Sequence, residues 1–326
     1  MLTAHAAAYD GRWRVWGHLE GVFLLGRALL WASEKPKVRS TLTNGRFTRP
    51  VVRRFVAGDT LDSAIEAIRE LNARSIGGIL DLLGEGVTDP KGAEAAAEEY
   101  LKSIQVIAET GIDTTVSVKL TQLGLAFNKA DSLDYLTLLA EEAAGVPAGV
   151  EVDMEQSEYV SDTLDVYRNL RASGHDVRLA IQAYLRRTAA DLQAIAHLKP
   201  KIRLVKGAYS EAPEIAFAKR SEIDAQYEWL VEWLFEHARD PAIASHDGRL
   251  IKHAQRVAAR VPGGKRSFEI QMLYGIRRDL QEELSRDGYR VRVYVPYGSD
   301  WYPYLMRRLA ERPANLRFFA RALAGR

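Results

Sequence analysis

Trp301, Tyr304 and Arg308 recur at i, i+3 and i+7 in the segment VPYGSDWYPYLMRRLAERP, and Arg307 lies three residues beyond Tyr304. Neighbouring residues on a helix diverge by about 100°, so Arg307 and Arg308 can share a ligand only over the seam between them. Two planar guanidinium forks at such a seam suit a carboxylate, held by charge-assisted and often bidentate hydrogen bonds. The alternative is a solvated basic face near a helix end. Two further segments, SVKL and VDMEQ, end apolar runs with Lys119 and Asp153. Paired with a carboxylate, a lysine stays charged and points in a fixed direction, as a contact to an anionic substrate requires. Deprotonated in an apolar site, it becomes a Schiff-base nucleophile instead. In RLVKGAY, Gly207 after Lys206 lets the backbone come close to a ligand. Arg203 falls early enough in that run to point into an interior, where a cation needs an acidic partner or a polar cofactor.

These groups need a scaffold that brings distant segments together, and the hydrophobic periodicity supplies one. Short Val- and Ile-rich runs alternate with long amphipathic stretches, the pattern of parallel strands joined by helical crossovers. The runs are Gly77–Leu83, Thr114–Lys119, Gly149–Asp153, Val177–Gln182, Ile202–Lys206, Ala242–His246, Phe268–Gln271 and Tyr289–Val295. Eight such units close a (βα)8 barrel, whereas an open doubly wound sheet more often has fewer strands and a glycine fingerprint after the first. Here the first run leads into LLGEG, without G-x-G-x-x-G. Asp81, Lys119, Asp153, Gln182, Lys206, His246, Gln271 and Tyr294 then stand at or near the carboxyl ends of successive strands, where barrel enzymes place their chemistry. Before the barrel, Gly21–Arg54 reads as two short basic helices broken at Pro36 and Pro50, and a further helix starts at Asp59 or Thr60 with Leu61, Ile65, Ile68 and Leu71 on one side. The domain reading is an N-terminal extension and helical arm over 1–58 and a catalytic barrel over 59–326.

Composition removes other classes. Lys plus Arg total 45 against 43 Asp plus Glu, a formal charge of +2 that gives no footprint for nucleic acid. There is no cysteine, which excludes disulfides, thiolate metal sites, iron–sulfur clusters and cysteine nucleophiles. The seven histidines make no H-E-x-x-H, and VPGGKRS has Ala259 and Arg266 where a phosphate loop needs glycine and a hydroxyl. The most apolar early stretch, Val22–Ala32, is broken by Arg27 and falls short of the ~20 residues that span a bilayer. The expected location is the cytoplasm.

At these residues the sequence resembles proline dehydrogenase. RRFVAGDT, LDLLGEG, SVKLTQLG, VDMEQ, RLVKGAY, ASHD, QMLYG, VYVPYG and WYPYLMRRLAERP occur in the family's order, from roughly Arg27 to the C-terminus. The resemblance implies a distorted (βα)8 TIM-like barrel whose last helix sits over the mouth. It also implies noncovalent FAD and oxidation of L-proline to Δ1-pyrroline-5-carboxylate by hydride transfer from C5 to flavin N5. By the same analogy a membrane quinone takes the electrons, pyrroline-5-carboxylate dehydrogenase takes the product, and the enzyme touches the cytoplasmic face of the inner membrane peripherally. The implied substrate contacts are Lys119, Arg307 and Arg308 for the carboxylate, and Tyr294, Tyr304 and Leu273 around the ring. Asp153 would organise Lys119, and Arg203 would lie near N5. Met154, Gln182, Lys206, Gly207, Ala208, Ser245 and His246 match flavin-contacting positions, with Ser245 where threonine is frequent in the family.

Overall fold

The computed structural model describes residues 49–84, 87–146 and 148–311, and at residues 49–51, 307 and 309–311 the backbone alone. A first helix, α1 (Arg49–Phe55), carries Pro50 in its opening turn, where the missing N–H breaks no helical bond. Pro50 thus lies in the first turn of this helix; the rest of the expected arm, with Pro36, lies outside the described residues. Thr60 caps α2 (Leu61–Asn72) by accepting from the Ser63 N–H, and Leu61, Ile65, Ile68 and Leu71 are all buried, as their spacing requires.

Eight parallel strands follow. They are β1 (Gly77–Leu82), β2 (Thr114–Val118), β3 (Val150–Val152), β4 (Arg178–Gln182), β5 (Lys201–Val205), β6 (Ala242–Ala244), β7 (Glu269–Leu273) and β8 (Arg290–Tyr297). Each pairs with the next, and β8 closes on β1 from Gly77↔Arg292 to Leu82↔Tyr297, so the sheet is a closed barrel without an edge. The crossovers are α3 (Pro90–Thr110), α4 (Lys129–Ala144), α5 (Val160–Ala172), α6 (Thr188–Ile195), α7 (Arg220–His237), α8 (Gly248–Ala258) and α9 (Arg278–Arg286), and α10 (Trp301–Glu311) comes last. Local sequence sets their limits: Asp89 caps α3 ahead of Pro90, and Gly111 ends it at φ 63°. Residues Arg53–Trp301 form one compact unit; the described residues Arg49–Val52 and Tyr302–Glu311 belong to a second.

The observed carboxyl ends differ from the periodicity by two residues in three strands. β6 stops at Ala244, because the next residues turn into the cap of α8: the Asp247 N–H bonds Ser245 Oγ at 3.1 Å, and Asp247 accepts from the Arg249 N–H. β7 and β8 each run two residues further than expected, since β8 is gripped from both sides, by β7 as far as Leu273↔Tyr294 and by β1 as far as Leu82↔Tyr297.

Alternation along these strands divides two environments. Leu80, Val116, Val118, Val152, Leu179, Ile181, Ile202, Leu204, Ile243, Ile270, Met272, Val293 and Val295 face the helices and form the apolar core. Their neighbours Asp81, Ser117, Lys119, Glu151, Gln182, Arg203, Glu269 and Gln271 are buried and polar. Side chains of β3 meet those of β5 and β7, which are not its neighbours in the sheet, so these contacts cross the barrel interior. Branched apolar residues usually fill that space; in this barrel charges do.

Gly275, just after β7, sits at φ 73°, and a Cβ there would lie 1.7 Å from the Arg54 carbonyl oxygen. Replacing Gly275 with Ala combines left-handed strain with backbone overlap. It should cost about 3 kcal/mol, read as a lower thermal midpoint in a melting scan; an unchanged midpoint would refute the packing just described.

Candidate active site

Arg203 occupies the middle of β5 and is 3% exposed. Its Nε donates to Glu151 Oε2 at 3.0 Å and its Nη2 donates to the same oxygen. Nη1 donates to Asp153 Oδ1 at 2.5 Å, and both terminal nitrogens reach Ser117 Oγ at 3.2 Å. The acidic partner demanded by a buried cation is thus a pair of carboxylates, two residues apart on β3 and its carboxyl end. Asp153 takes a second donor on its other oxygen, the Tyr294 hydroxyl at 2.5 Å. Lys119, 5% exposed, stands 3.3 Å from Asp153 Oδ2 and 2.5 Å from Asp81 Oδ1, with the Tyr294 hydroxyl at 3.4 Å. Asp153 therefore shares the holding of Lys119 with Asp81, the nearer partner. Lys119 and Asp153, just beyond the carboxyl ends of β2 and β3, are brought together with Arg203 and Tyr294 from within β5 and β8.

A second group surrounds the ends of β4 to β7. Gln182, the last residue of β4, donates to the Glu155 carbonyl at 2.8 Å. Lys206 follows β5 and pairs with Asp224 at 2.6 Å and Asp247 at 3.5 Å. His246 Nε2 accepts from the Leu273 N–H at 2.8 Å, tying the end of β6 to the end of β7. Met154 and Ser245 are buried, Leu273 is half-buried and Ala208 is exposed. Gly207 has φ 115°, and a Cβ there would collide with the Tyr184 ring, so this glycine makes room for a neighbouring aromatic. On α10 the Arg308 guanidinium lies over the Tyr304 ring at 5.3 Å from its centroid. The side chain of Arg307 lies outside the described residues.

Sequence reasoning missed Glu151 and Ser117 as members of the site and did not join Asp81 to Lys119. A usable signal existed for two of them: Glu151 precedes Asp153 by two residues and Ser117 precedes Lys119 by two, so each shares its neighbour's face of a strand.

The model of the family described as "Proline dehydrogenase" matches residues 64–321. The chain is 41% identical over 278 residues to proline dehydrogenase 1 of Bacillus subtilis subsp. natto, covering 85% of this chain and 91% of that protein. It is 36% identical over 305 residues to the proline dehydrogenase of Deinococcus radiodurans, covering 92% and 98%. The chain belongs to the proline dehydrogenase family. As a proline dehydrogenase family member it is an oxidoreductase, a flavoprotein of proline metabolism. Among solved structures, proline utilization A from Bdellovibrio bacteriovorus, inactivated by N-propargylglycine, superimposes with a TM-score of 0.76 at 23% identity. That match covers 87% of this chain and 38% of the larger protein and bears on the fold, the same barrel. No helix among the described residues is long and apolar enough to cross a membrane.

The electrostatics decide between the two roles open to Lys119. Burial alone would lower its pKa, but Asp81, Tyr294 and Asp153 outweigh it and hold the amine well above its ordinary value. An amine held protonated at neutral pH is a poor Schiff-base nucleophile and a good anchor for an anion. Burial would likewise raise Asp153, but Lys119 and Arg203 keep it below the usual carboxylate range. Burial raises Asp81, which has the single ammonium and sees Asp153 as a like charge. Tyr294 is pushed well above 10 by burial and the two aspartates, so it stays a phenol and donates. Lys119, Arg203 and Asp153 therefore carry their charges at neutral pH.

Glu151 illustrates what this arrangement does to stability. Burial opposes its ionisation, yet Arg203 and Arg178 bring its pKa from 4.5 to about 2. A depressed carboxylate stabilises the fold above its unfolded pKa, and that contribution disappears as protons bind on the way down to the folded value. Unfolding free energy measured by denaturant titration should hold above pH 4.5 and fall toward pH 2 by on the order of 3 kcal/mol from Glu151 alone. A flat profile through that window would contradict the Arg203–Glu151 pairing.

Proposed function

We propose that this chain oxidises L-proline to Δ1-pyrroline-5-carboxylate, with FAD held noncovalently at the carboxyl ends of the strands. The observation that carries the reading is the buried, protonated Lys119, fixed by Asp81 and Asp153 beside Tyr294 and Arg203. It gives a small anionic substrate a charged anchor with an aromatic wall. The donor set suits a flavin as well: the amide of Gln182, the ammonium of Lys206, the hydroxyl of Ser245 and the imidazole of His246 stand at or just beyond the ends of successive strands β4, β5 and β6. Gln271 Oε1, buried in the same barrel, has no hydrogen-bond partner among the described residues. Met154, Gly207 and Ala208 would complete the cofactor contacts.

FAD would supply there a two-electron acceptor for the hydride of proline C5, with a membrane quinone as the onward acceptor. The chain's own residues do the rest. Lys119 binds the proline carboxylate through charged hydrogen bonds, a role shared by Arg307 and Arg308 in this reading. Tyr294, Tyr304 and Leu273 enclose the apolar ring and exclude water. Arg203 supplies a fixed positive charge where negative charge develops on transfer, and Asp153 holds it there. The extension over 1–58 provides peripheral contact with the cytoplasmic face of the membrane where quinone resides, and pyrroline-5-carboxylate dehydrogenase receives the product.

An anaerobic absorbance spectrum before and after L-proline tests the reading. Flavin bands that bleach on addition are expected. Retained flavin that does not bleach would overturn the substrate, and protein that binds no FAD on reconstitution would overturn the whole assignment.

Replacing Arg308 with Met removes one charged hydrogen-bond donor and should weaken proline binding about 10- to 100-fold with flavin content unchanged. An unaltered KM would remove Arg308 from the carboxylate clamp.

A further inference from the structure

Five N–H groups make up a guanidinium, and in Arg203 all three nitrogens already have acceptors within the protein. Asp153 takes only one direction of that fork, Nη1. Nε and Nη2 turn away from it, and their carboxylate is Glu151, 2% exposed and one layer deeper on β3. Without Glu151, two nitrogens of a buried cation would have only the shared Ser117 hydroxyl between them, and the head group would lose the contact that fixes its plane.

Glu151 is itself held on several sides. Thr115 Oγ1 donates to it at 2.8 Å, Gln271 Nε2 donates at 3.2 Å, and Arg178 Nε lies 3.6 Å away. The same Gln271 amide donates to Glu269 at 2.8 Å, and Glu269 pairs with Arg292 at 3.2 Å. Arg292 reaches Asp113, whose side chain is 65% exposed just before β2. Glu151 is thus anchored from below by a continuous polar column and grips Arg203 from beneath.

We propose that Glu151 is a positioning residue for the redox step: it orients Arg203 toward the mouth and offsets its charge, and so sets how strongly the site favours the reduced cofactor. This rests on the flavin-dependent reading above. Two consequences separate charge from shape. Glu151→Gln keeps the size of the side chain and leaves the barrel one unit more positive, which favours electron uptake. Glu151→Asp keeps the charge and shortens the reach by one methylene, which loosens the Arg203 fork without changing the balance.

The test is a reductive titration of the FAD-loaded protein with a chemical reductant against a reference dye, with steady-state proline oxidation alongside. Glu151→Gln should shift the two-electron equilibrium toward reduction at least tenfold, about 30 mV positive, with the KM for proline unchanged. Glu151→Asp should keep the wild-type potential and lose about tenfold in kcat. A folded, FAD-loaded Glu151→Gln protein with the wild-type potential overturns the proposal. If that variant does not fold, Glu151→Asp decides, and a wild-type kcat overturns it. The titration requires no proline, so a wild-type enzyme that proline fails to bleach would defeat the substrate reading and leave the Glu151 test standing.

Discussion

Taking a guanidinium out of water is tolerable only where carboxylates meet it in good geometry, and this barrel is organised around that condition. Arg203 is buried on β5, and β3 supplies both of its acidic partners. Because they are two residues apart, one strand face presents a carboxylate above the guanidinium and another below it. Closure of the sheet is what makes this arrangement possible, since β3 and β5 are not adjacent and can meet only across an enclosed space. The charge requirement and the barrel topology are therefore one constraint seen from two sides.

The apolar work of folding is displaced outward in consequence. Val, Ile and Leu on the outer faces of the strands pack against the helices, and that layer is the core. The interior contributes direction more than stability, because buried ion pairs gain little over well-packed apolar groups while fixing their members in place. For Lys119 and Arg203, both held charged by their neighbours, the result is a fixed direction.

Much of this was legible in the sequence. The eight runs, the Thr60 cap and the buried stripe of α2 follow from local periodicity and local hydrogen bonding, and the structure has them. The need of Arg203 for an acidic partner was also readable, from its place within a run. Which partner was not, because period-two alternation was followed only forward to the strand end and not back to Glu151. The approach of Asp81 to Lys119 depends on the β1–β2 register, in which Asp81 stands opposite Ser117, and no local pattern encodes a register between strands joined by a 21-residue helix. The end of β6 was misplaced for a different reason: capping of α8 by Asp247 competes with strand continuation, and the cap wins.

The polar filling of the barrel also shapes its response to temperature. Unfolding a protein raises the heat capacity through newly wetted apolar surface and lowers it through newly wetted polar surface. An axis lined by Glu151, Arg178, Arg203, Glu269, Gln271 and Arg292 adds to the second contribution where a barrel of the usual kind adds to the first. The desolvation cost of those charges falls on heating as well. The residues that hold the cations in place thereby lower the heat-capacity change of unfolding, and a lower heat-capacity change flattens the stability curve relative to an equally large barrel with an aliphatic axis.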